Sequence, residues 1–210
     1  MFPHTLGRRL LVIGVPLAFA VVSVFHPTPA RPSNLADEVG WWTTLHLLQI
    51  PMLLLMACAV LTLGWTYSGR AVTVSRVASL IFIATYPAYD SFAGLGTGFL
   101  VQHAQGKDEA AREVLHAAAA ELLDSPLDSS LYVPGTLSWM VAVVSLAVAL
   151  RHGPGGRAVS ILFAAAGLSL IDHGRPFGVI SFGLFAAGAA LFEFRQSRAV
   201  TPMDAVPITA

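Results

Sequence analysis

The sequence is poor in charged residues and contains a single cysteine. Charged side chains make up 11% of its 210 residues, whereas a soluble globular protein carries about 25%. Lys plus Arg and Asp plus Glu number 12 each, so the overall charge provides no attraction for nucleic acid. Because Cys58 has no second cysteine beside it, a disulfide or a cysteine-type zinc site within one chain is excluded.

Motifs of several enzyme classes are also missing. Gly94-Leu-Gly-Thr-Gly98 lacks the lysine of a P-loop and lies within an apolar segment rather than between a strand and a helix. The sequence contains no serine-centred GxSxG, no HxxxH and no HExxH. We therefore predict no nucleotide site and no nucleic-acid partner.

Long apolar segments, in contrast, are abundant, and 55% of the residues are hydrophobic. About 20 apolar residues cross the ~30 Å hydrocarbon core of a bilayer as a helix. The pattern predicts an all-α fold: one polytopic membrane helix bundle over residues 1–195, with the lipid bilayer as its partner, and a disordered cytoplasmic tail over 196–210. The six predicted spans are about 9–25, 41–65, 76–101, 131–150, 157–172 and 176–194, of which the fifth is short. The first could instead be a cleaved signal peptide, with Thr28 and Ala30 before the cut.

The arginines predict the orientation of these spans. Cytoplasmic loops of membrane proteins carry an excess of Lys and Arg. With the N-terminus inside, the inner face receives eight arginines and the outer face only four cationic residues. The inner set is Arg8, Arg9, Arg70, Arg76, Arg151, Arg157, Arg195 and Arg198, and the outer set is Arg31, Lys107, Arg112 and Arg175. We predict a multi-pass protein of the bacterial plasma membrane with both termini in the cytoplasm.

The one long loop, predicted on the outer side, contains an amphipathic segment at about 108–123. Its apolar face repeats at helical spacing and consists of Ala111, Leu115, Ala118 and Leu122. Such a helix either lies as a lid over the bundle at the membrane surface or serves as a solvated connector. The sequence leaves both alternatives open.

Asp90 lies near the middle of the third predicted span. An ionisable side chain at that depth costs several kcal/mol unless it is partnered or hydrated, so such a residue suggests a functional site. Tyr86, Asp90, Gly94 and Gly98 follow one another at steps of four, and the two glycines allow close approach of another helix. Asp90 is therefore predicted to face the bundle, either as a functional acid or as a structural carboxyl.

The second predicted span supplies His46 and Gln49 on a polar edge. At 1.5 Å per residue, Gln49 lies nearer than His46 to the expected depth of Asp90. We predict a polar pocket that opens to the outer face and is lined by Asp90, Tyr86, Gln49 and His46. The alternative is a set of interhelical hydrogen bonds that serve packing only.

Histidines accumulate on the predicted outer side. Neutral imidazole is the commonest metal ligand and can also hold haem iron. The candidate ligands for a metal or haem are His26, His46, His103 and His173. Their spacing matches no known ligand motif, and ordinary polar residues at the ends of spans would give the same pattern.

Four stretches together resemble a group of uncharacterised small polytopic membrane proteins of bacteria. They are His26-Pro27, Leu45-His-Leu-Leu-Gln49, Tyr86-Pro-Ala-Tyr-Asp-Ser-Phe-Ala-Gly-Leu-Gly-Thr-Gly98 and Asp172-His-Gly-Arg-Pro-Phe-Gly178. The resemblance implies a six-span membrane protein and no particular activity. Alkaline ceramidase-like membrane hydrolases also use His, Asp and Ser near one membrane face, but the sequence lacks their paired HxxxH helix.

Three functional hypotheses remain after the sequence is read. The first is a plasma-membrane protein whose outer pocket binds a metal, haem or a small polar molecule, as an enzyme or otherwise. The second is an ion- or proton-coupled transporter or channel component that uses Asp90. The third is a structural or assembly subunit without a ligand. A homo-oligomer or a partner membrane protein is compatible with each.

Overall fold

The computed structural model describes residues 6–28, 31–171 and 173–200, and for residues 199 and 200 it describes the backbone only. Within these ranges the protein is all-α and contains no strand, which confirms the all-α part of the predicted fold class. We number the helices in chain order: α1 Leu6–Val24, α2 Val39–Leu63, α3 Arg70–Ala104, α4 Glu109–Leu123, α5 Pro126–Leu150, α6 Gly156–Ser169 and α7 Phe177–Val200. A short 3-10 turn, Pro32–Leu35, connects α1 to α2.

Five helices are long and apolar enough to cross a membrane, namely α1, α2, α3, α5 and α7. They correspond to five of the six predicted spans. The remaining one, predicted at about 157–172, is the 14-residue apolar helix α6. At 1.5 Å per residue α6 is about 21 Å long, which is shorter than the ~30 Å hydrocarbon core.

Helix α3 is longer than predicted and contains an irregular segment. It has 35 residues, beginning six residues before the expected start at 76. Its middle part, Asp90–Leu95, is π-helical. Pro87 lies one turn earlier and cannot donate a backbone hydrogen bond within the helix. Single-turn π segments within α-helices occur frequently at functional sites.

The loop region contains the predicted amphipathic helix, α4, but α5 starts earlier than expected. The Asp108 carboxylate caps α4 by accepting a hydrogen bond from the backbone N–H of Ala111, at 2.9 Å. Ser125 then caps α5 by accepting from the N–H of Asp128, and Pro126 occupies the first turn. This Ser-Pro pair is a strong helix start, so α5 begins five residues before the predicted 131.

The C-terminal helix also continues further than predicted. Helix α7 runs to Val200, so residues 196–200 of the predicted disordered tail are helical, and residues 201–210 lie outside the described ranges. Two contacts hold this last part in place. Arg9 donates to the hydroxyl of Ser197 at 3.0 Å, and Arg198 stacks over the ring of Phe194 at 4.2 Å.

The bundle has an aromatic core and two chemically different ends. The largest fully buried side chains of the core are Trp139, Tyr86, Phe19, Phe82, Phe163, Phe182, Phe185 and Phe192. We call one end the arginine end. It contains the N-terminus of α1, the loops between α2 and α3 and between α5 and α6, and the C-terminus of α7. The opposite end, which carries His26, the N-terminus of α2 and His173, is the histidine end.

Helix α4 covers part of the histidine end. Its Ala119 is fully buried and belongs to a small apolar cluster with Leu35, Val39, Trp42 and Val101. Leu122 packs close to Gly96 of α3, since a methyl group on that glycine would lie 2.8 Å from the leucine Cδ2. The helix therefore packs on the bundle. This favours the lid over the solvated connector.

Candidate metal centre

Three histidines from distant parts of the sequence meet at the histidine end. His26 follows the C-terminus of α1, His46 lies two turns into α2, and His173 lies in the connection between α6 and α7. One ring nitrogen of each lies within 4.8 Å of those of the other two, and all three residues are buried. The cluster is a group that could hold a metal ion.

The hydrogen bonds of two of these rings determine which nitrogen faces the cluster as a ligand. His26 Nδ1 lies 2.6 Å from the carbonyl oxygen of Pro27, and His46 Nδ1 lies 2.8 Å from that of Trp42. Because a carbonyl oxygen only accepts, each Nδ1 carries the proton and donates it. The lone pair is then on Nε2, and a carbonyl partner of this kind is typical of a metal-bound imidazole.

The third ring contacts a buried tyrosine. His173 Nδ1 lies 3.2 Å from the hydroxyl of Tyr86, which is fully buried. Burial lowers the pKa of His173 well below its ordinary value, and the neighbouring His26 lowers the pKa further. A neutral imidazole at this position is ready to bind a metal, because protonation would block the coordinating nitrogen.

Asp90 adds a carboxylate to the three imidazoles. Its Oδ1 lies 3.3 Å from His173 Nε2 and 3.9 Å from His46 Nε2, and its side chain is fully buried. A tetrahedral zinc ion with bonds of about 2.1 Å holds its ligand atoms about 3.4 Å apart. The Asp90 oxygen is therefore spaced from these nitrogens as a fourth ligand would be.

Gly94 is the residue that lets α2 and α3 approach closely at this level. A methyl group on Gly94 would overlap the imidazole of His46. The carbonyl of Gly94 accepts a hydrogen bond from the indole N–H of Trp42 at 2.7 Å. The Trp42 ring in turn packs on His46, with centroids 4.2 Å apart. The predicted close-packing glycine thus seats a ligand side chain as well as a helix.

A second glycine, Gly178, packs closely against the backbone of His173. The N–H of Gly178, in the first turn of α7, donates to the carbonyl of Gly174. A methyl group at Gly178 would overlap the backbone carbonyl of His173. The connection between α6 and α7 therefore folds tightly against the start of α7, which delivers His173 to the cluster.

A cavity of about 280 Å³ opens beside the cluster. A single water molecule occupies about 30 Å³ in the liquid, so the space admits an ion with several waters or a small molecule. Leu123, at the end of α4, forms part of the wall. The lining consists of His26, Pro27, Thr28, Trp42, His46, Tyr89, Asp90, Ala93, Gly94, Leu123 and His173.

The structure does not bring all predicted site residues together. His103 is exposed and lines another groove with Lys107, so it does not join the other three histidines. Gln49 is fully buried but does not line the cavity, and within the described part of the chain its amide has no hydrogen-bond partner. His46 is a direct neighbour of Asp90, with its Nε2 3.9 Å from Oδ1, although the sequence favoured Gln49 over His46 for that place. His46 lies opposite Gly94, and the Asp90 side chain extends toward it.

Among the cavity residues that the sequence analysis did not assign to the pocket, two are aromatic, Trp42 and Tyr89. Trp42 directly follows Trp41 near the start of α2, and the sequence alone does not distinguish the two rings. Tyr89 directly precedes Asp90 and follows Tyr86 by three residues, which was a usable signal. The ring of Tyr89 packs on that of Tyr132 at 5.1 Å and on that of His173 at 6.4 Å.

The donor set suits a metal ion better than haem. The ring centroids of His26 lie 5.1 Å from those of His46 and 4.9 Å from those of His173. Rings that touch each other leave no slot for a planar macrocycle between them, whereas an ion occupies little space. Imidazole and carboxylate together are typical ligands of zinc, copper, nickel and iron.

No family model, curated protein or solved structure matches the chain. The argument about function therefore depends on the geometry of the site itself.

Proposed function

We propose that this protein is a polytopic integral membrane protein that binds a divalent transition-metal ion at His26, His46 and His173, with Asp90 as the fourth ligand. The proposal depends on one observation above all, the three buried imidazoles whose nitrogens lie within 4.8 Å of one another. Buried histidines and a buried aspartate cost free energy unless they are paired, and a cation shared among them offsets that cost.

The proposed arrangement has six spans with both termini in the cytoplasm of a bacterium, so that the metal site opens to the outer face. Support comes from the five long apolar helices and the short apolar α6. The arginine contacts at the opposite end agree with the charge rule, since Arg8, Arg9 and Arg76 all bind groups there. Cysteine accessibility mapping in intact cells, with cysteines placed at the exposed residues His152 and Lys107, tests this orientation.

The metal proposal is tested on the purified full-length protein. Elemental analysis after purification without added metal, followed by titration of the apoprotein with Zn²⁺, should give one ion per chain. Trp42 packs on two rings of the cluster, at 4.2 Å and 5.4 Å, so its fluorescence should report the binding. A protein that takes up no Zn²⁺, Cu²⁺, Ni²⁺ or Fe²⁺ stoichiometrically would contradict the proposal.

A second candidate, an ion- or proton-coupled transporter, is favoured by one specific observation. Asp90 is the first residue of a π-helical segment inside a helix long and apolar enough to span a membrane, and such segments occur frequently at functional sites. Uptake into liposomes under a proton gradient tests it. Asp90→Asn should abolish the uptake, and full uptake by that variant would exclude the transporter function.

A further inference from the structure

The arginine end has a groove of its own, between α1 and α7. It encloses about 220 Å³ and is lined by Arg9, Ile13, Ala190, Glu193, Phe194 and Ser197. Its α1 wall includes a residue of the other π-helical segment, Leu10–Gly14. The groove is thus separate from the metal cluster, so a ligand of the groove can be tested independently of the metal site.

The acid in this groove is already neutralised. Arg8 Nε donates to Glu193 Oε1 at 2.8 Å, and the two side chains are 9% and 2% exposed. The pair carries no net charge. Two further exposed arginines then contribute positive charge, since Arg9 lines the groove and Arg198 stacks on the lining residue Phe194.

Both guanidinium groups contact side chains of α7 that line the groove. Arg9 Nη2 donates to Ser197 Oγ at 3.0 Å, and Arg198 stacks over the Phe194 ring at 4.2 Å. An arginine fixed by one contact keeps several N–H donors for a bound anion and loses less side-chain entropy on binding. Guanidinium groups match phosphate oxygens well in geometry and charge.

The rest of the groove is apolar and leads away from the rim. Ile13 lies one turn beyond Arg9 along α1, and Ala190 lies about one turn before Glu193 along α7. Both are thus further into the apolar length of their helices. The Phe194 side chain is 54% exposed and that of Leu10 is 57% exposed, so this face is turned outward from the bundle.

We propose that this groove binds an anionic phospholipid of the surrounding membrane, with the lipid phosphate on Arg9 and Arg198 and an acyl chain along Ile13 and Ala190. A cationic rim above an apolar floor fits a molecule that has a phosphate at one end and a hydrocarbon chain at the other. Basic pockets between membrane helices are known to select such headgroups. A free phosphate ion would use the rim but gain nothing from the apolar floor.

The test compares lipids and variants on the full-length protein in a mild detergent. Phosphatidylglycerol, phosphatidylcholine or inorganic phosphate is added, and bound lipid is counted by native mass spectrometry while Tm is followed in parallel. Each arginine near an anionic surface contributes about 1 kcal/mol, a factor of about five in affinity. The double variant Arg9→Gln/Arg198→Gln should therefore bind phosphatidylglycerol about 25-fold more weakly. Arg112→Gln, an exposed arginine on α4, is the matched control and should bind as the unmodified protein does.

The outcomes separate the alternatives. Retention of phosphatidylglycerol over phosphatidylcholine, lost in the double variant and kept in Arg112→Gln, supports the site. Equal binding of both lipids, or full binding by the double variant, overturns it. An equal rise in Tm with inorganic phosphate alone overturns the lipid form of the proposal. If the double variant does not fold, Arg9→Lys replaces it, and its retention of the charge should preserve most of the preference.

Discussion

Among the residues that the structure describes, each end of the bundle buries one carboxylate, but the two have different partners. Glu193, at the arginine end, contacts Arg8 at 2.8 Å, and a guanidinium is positively charged at every pH that a protein tolerates. Asp90, at the histidine end, faces imidazole nitrogens at 3.3 Å and 3.9 Å, and these are neutral unless they take up a proton. The first arrangement is complete as an ion pair, whereas the second gains positive charge only when a proton or a metal ion joins it.

The local backbone reinforces this contrast. Both acids lie beside one of the two π-helical segments that the structure describes, Leu10–Gly14 and Asp90–Leu95. At the arginine end the π-helical segment packs beside a closed ion pair. At the histidine end the segment contains the acid itself and lines an open cavity. The histidine end is therefore the place where the protein can change its charge by binding something.

Removal of one imidazole should break the histidine end most severely. His46→Ala takes away a ligand whose other nitrogen is fixed by the carbonyl of Trp42. We expect Zn²⁺ affinity to fall by more than about 100-fold, because loss of a residue that only hydrogen-bonds a ligand already lowers metal affinity by about 10-fold to 100-fold. Isothermal titration or competition with a fluorescent chelator measures it. His103→Ala, at an exposed histidine outside the cluster, should bind normally, and an equal loss there would contradict the assignment.

Neutralising each acid in turn tests the contrast directly. Glu193→Gln leaves Arg8 largely buried without its partner, and breaking a buried pair in this way typically costs about 3 kcal/mol or more. In Asp90→Asn an amide replaces the carboxyl beside the imidazoles of His46 and His173, which carry no permanent charge to be left unpaired, so the metal-free protein should lose less stability than Glu193→Gln does. The Zn²⁺ affinity of Asp90→Asn should nevertheless fall at least about 10-fold.

The measurements for this pair are Tm in chelator and Zn²⁺ titration of both variants. Glu193→Gln should bind Zn²⁺ with the affinity of the unmodified protein once the temperature is kept below its Tm. If Asp90→Asn were destabilised as strongly as Glu193→Gln in the absence of metal, Asp90 would be a structural carboxyl and the contrast would disappear.

A single methyl group should disturb the centre through packing. In Gly94→Ala the new Cβ overlaps the imidazole of His46, so the ring must move away from the cluster. Overpacking of this kind costs about 1–3 kcal/mol, and displacement of the ligand should also weaken Zn²⁺ binding. Gly40→Ala is the control on the same helix as His46, because a methyl group there meets nothing within 4 Å. Equal Zn²⁺ affinity for the two variants would mean that Gly94 serves helix packing alone.

Sequence reasoning succeeded where one side chain carries a strong physical signal. An acid in an apolar segment was enough to indicate Asp90, and the step of four to Gly94 predicted that it faces the bundle, as the contact with His46 shows. Helix α4 and five long apolar helices also agree with periodicity and hydropathy. These features are local, so a single segment of the chain contains all the information about them.

What the sequence could not supply was the meeting of distant segments. His26, His46 and His173 are separated by 20 and 127 residues, and their convergence depends on how α1, α2 and the connection before α7 pack together. Depths calculated from the rise per residue were also insufficient to decide whether Gln49 or His46 lies nearer to Asp90, because neighbouring helices are shifted along their axes relative to each other. The π-helical segment has no reliable signature, although Pro87 marked the turn before it.

The hydroxyl of Tyr86 offers a smaller test of the same centre. In Tyr86→Phe the ring stays in the core but the partner of His173 Nδ1 is lost. Loss of an outer-shell hydrogen bond of this type lowers metal affinity by about 10-fold or somewhat more. Zn²⁺ titration measures the change, and Tyr67→Phe, which removes a tyrosine hydroxyl at the arginine end, serves as the comparison. A full-affinity Tyr86→Phe variant would show that His173 is oriented by its backbone alone.

Lowering the pH should destabilise the protein through His173 at the histidine end, without any change to the arginine end. Burial and the neighbouring His26 lower the pKa of His173 in the folded protein, whereas the unfolded chain has an ordinary histidine pKa of about 6.5. Above that pH the ring is neutral in both states and contributes nothing to the pH dependence. As the pH falls below it, the unfolded state takes up a proton that the folded state does not bind until its lower pKa is reached, so stability declines through that window.

Tm in chelator, followed from about pH 7.5 to about pH 5.5, should fall less steeply in His173→Gln than in the unmodified protein. His103→Gln should keep the full slope, because that side chain is exposed. Identical slopes in all three proteins would show that His173 takes up the proton in the folded protein as well. Asp90 would then form an ion pair with a charged imidazole, as Glu193 does with Arg8, and His173 would not be held neutral for a metal ion.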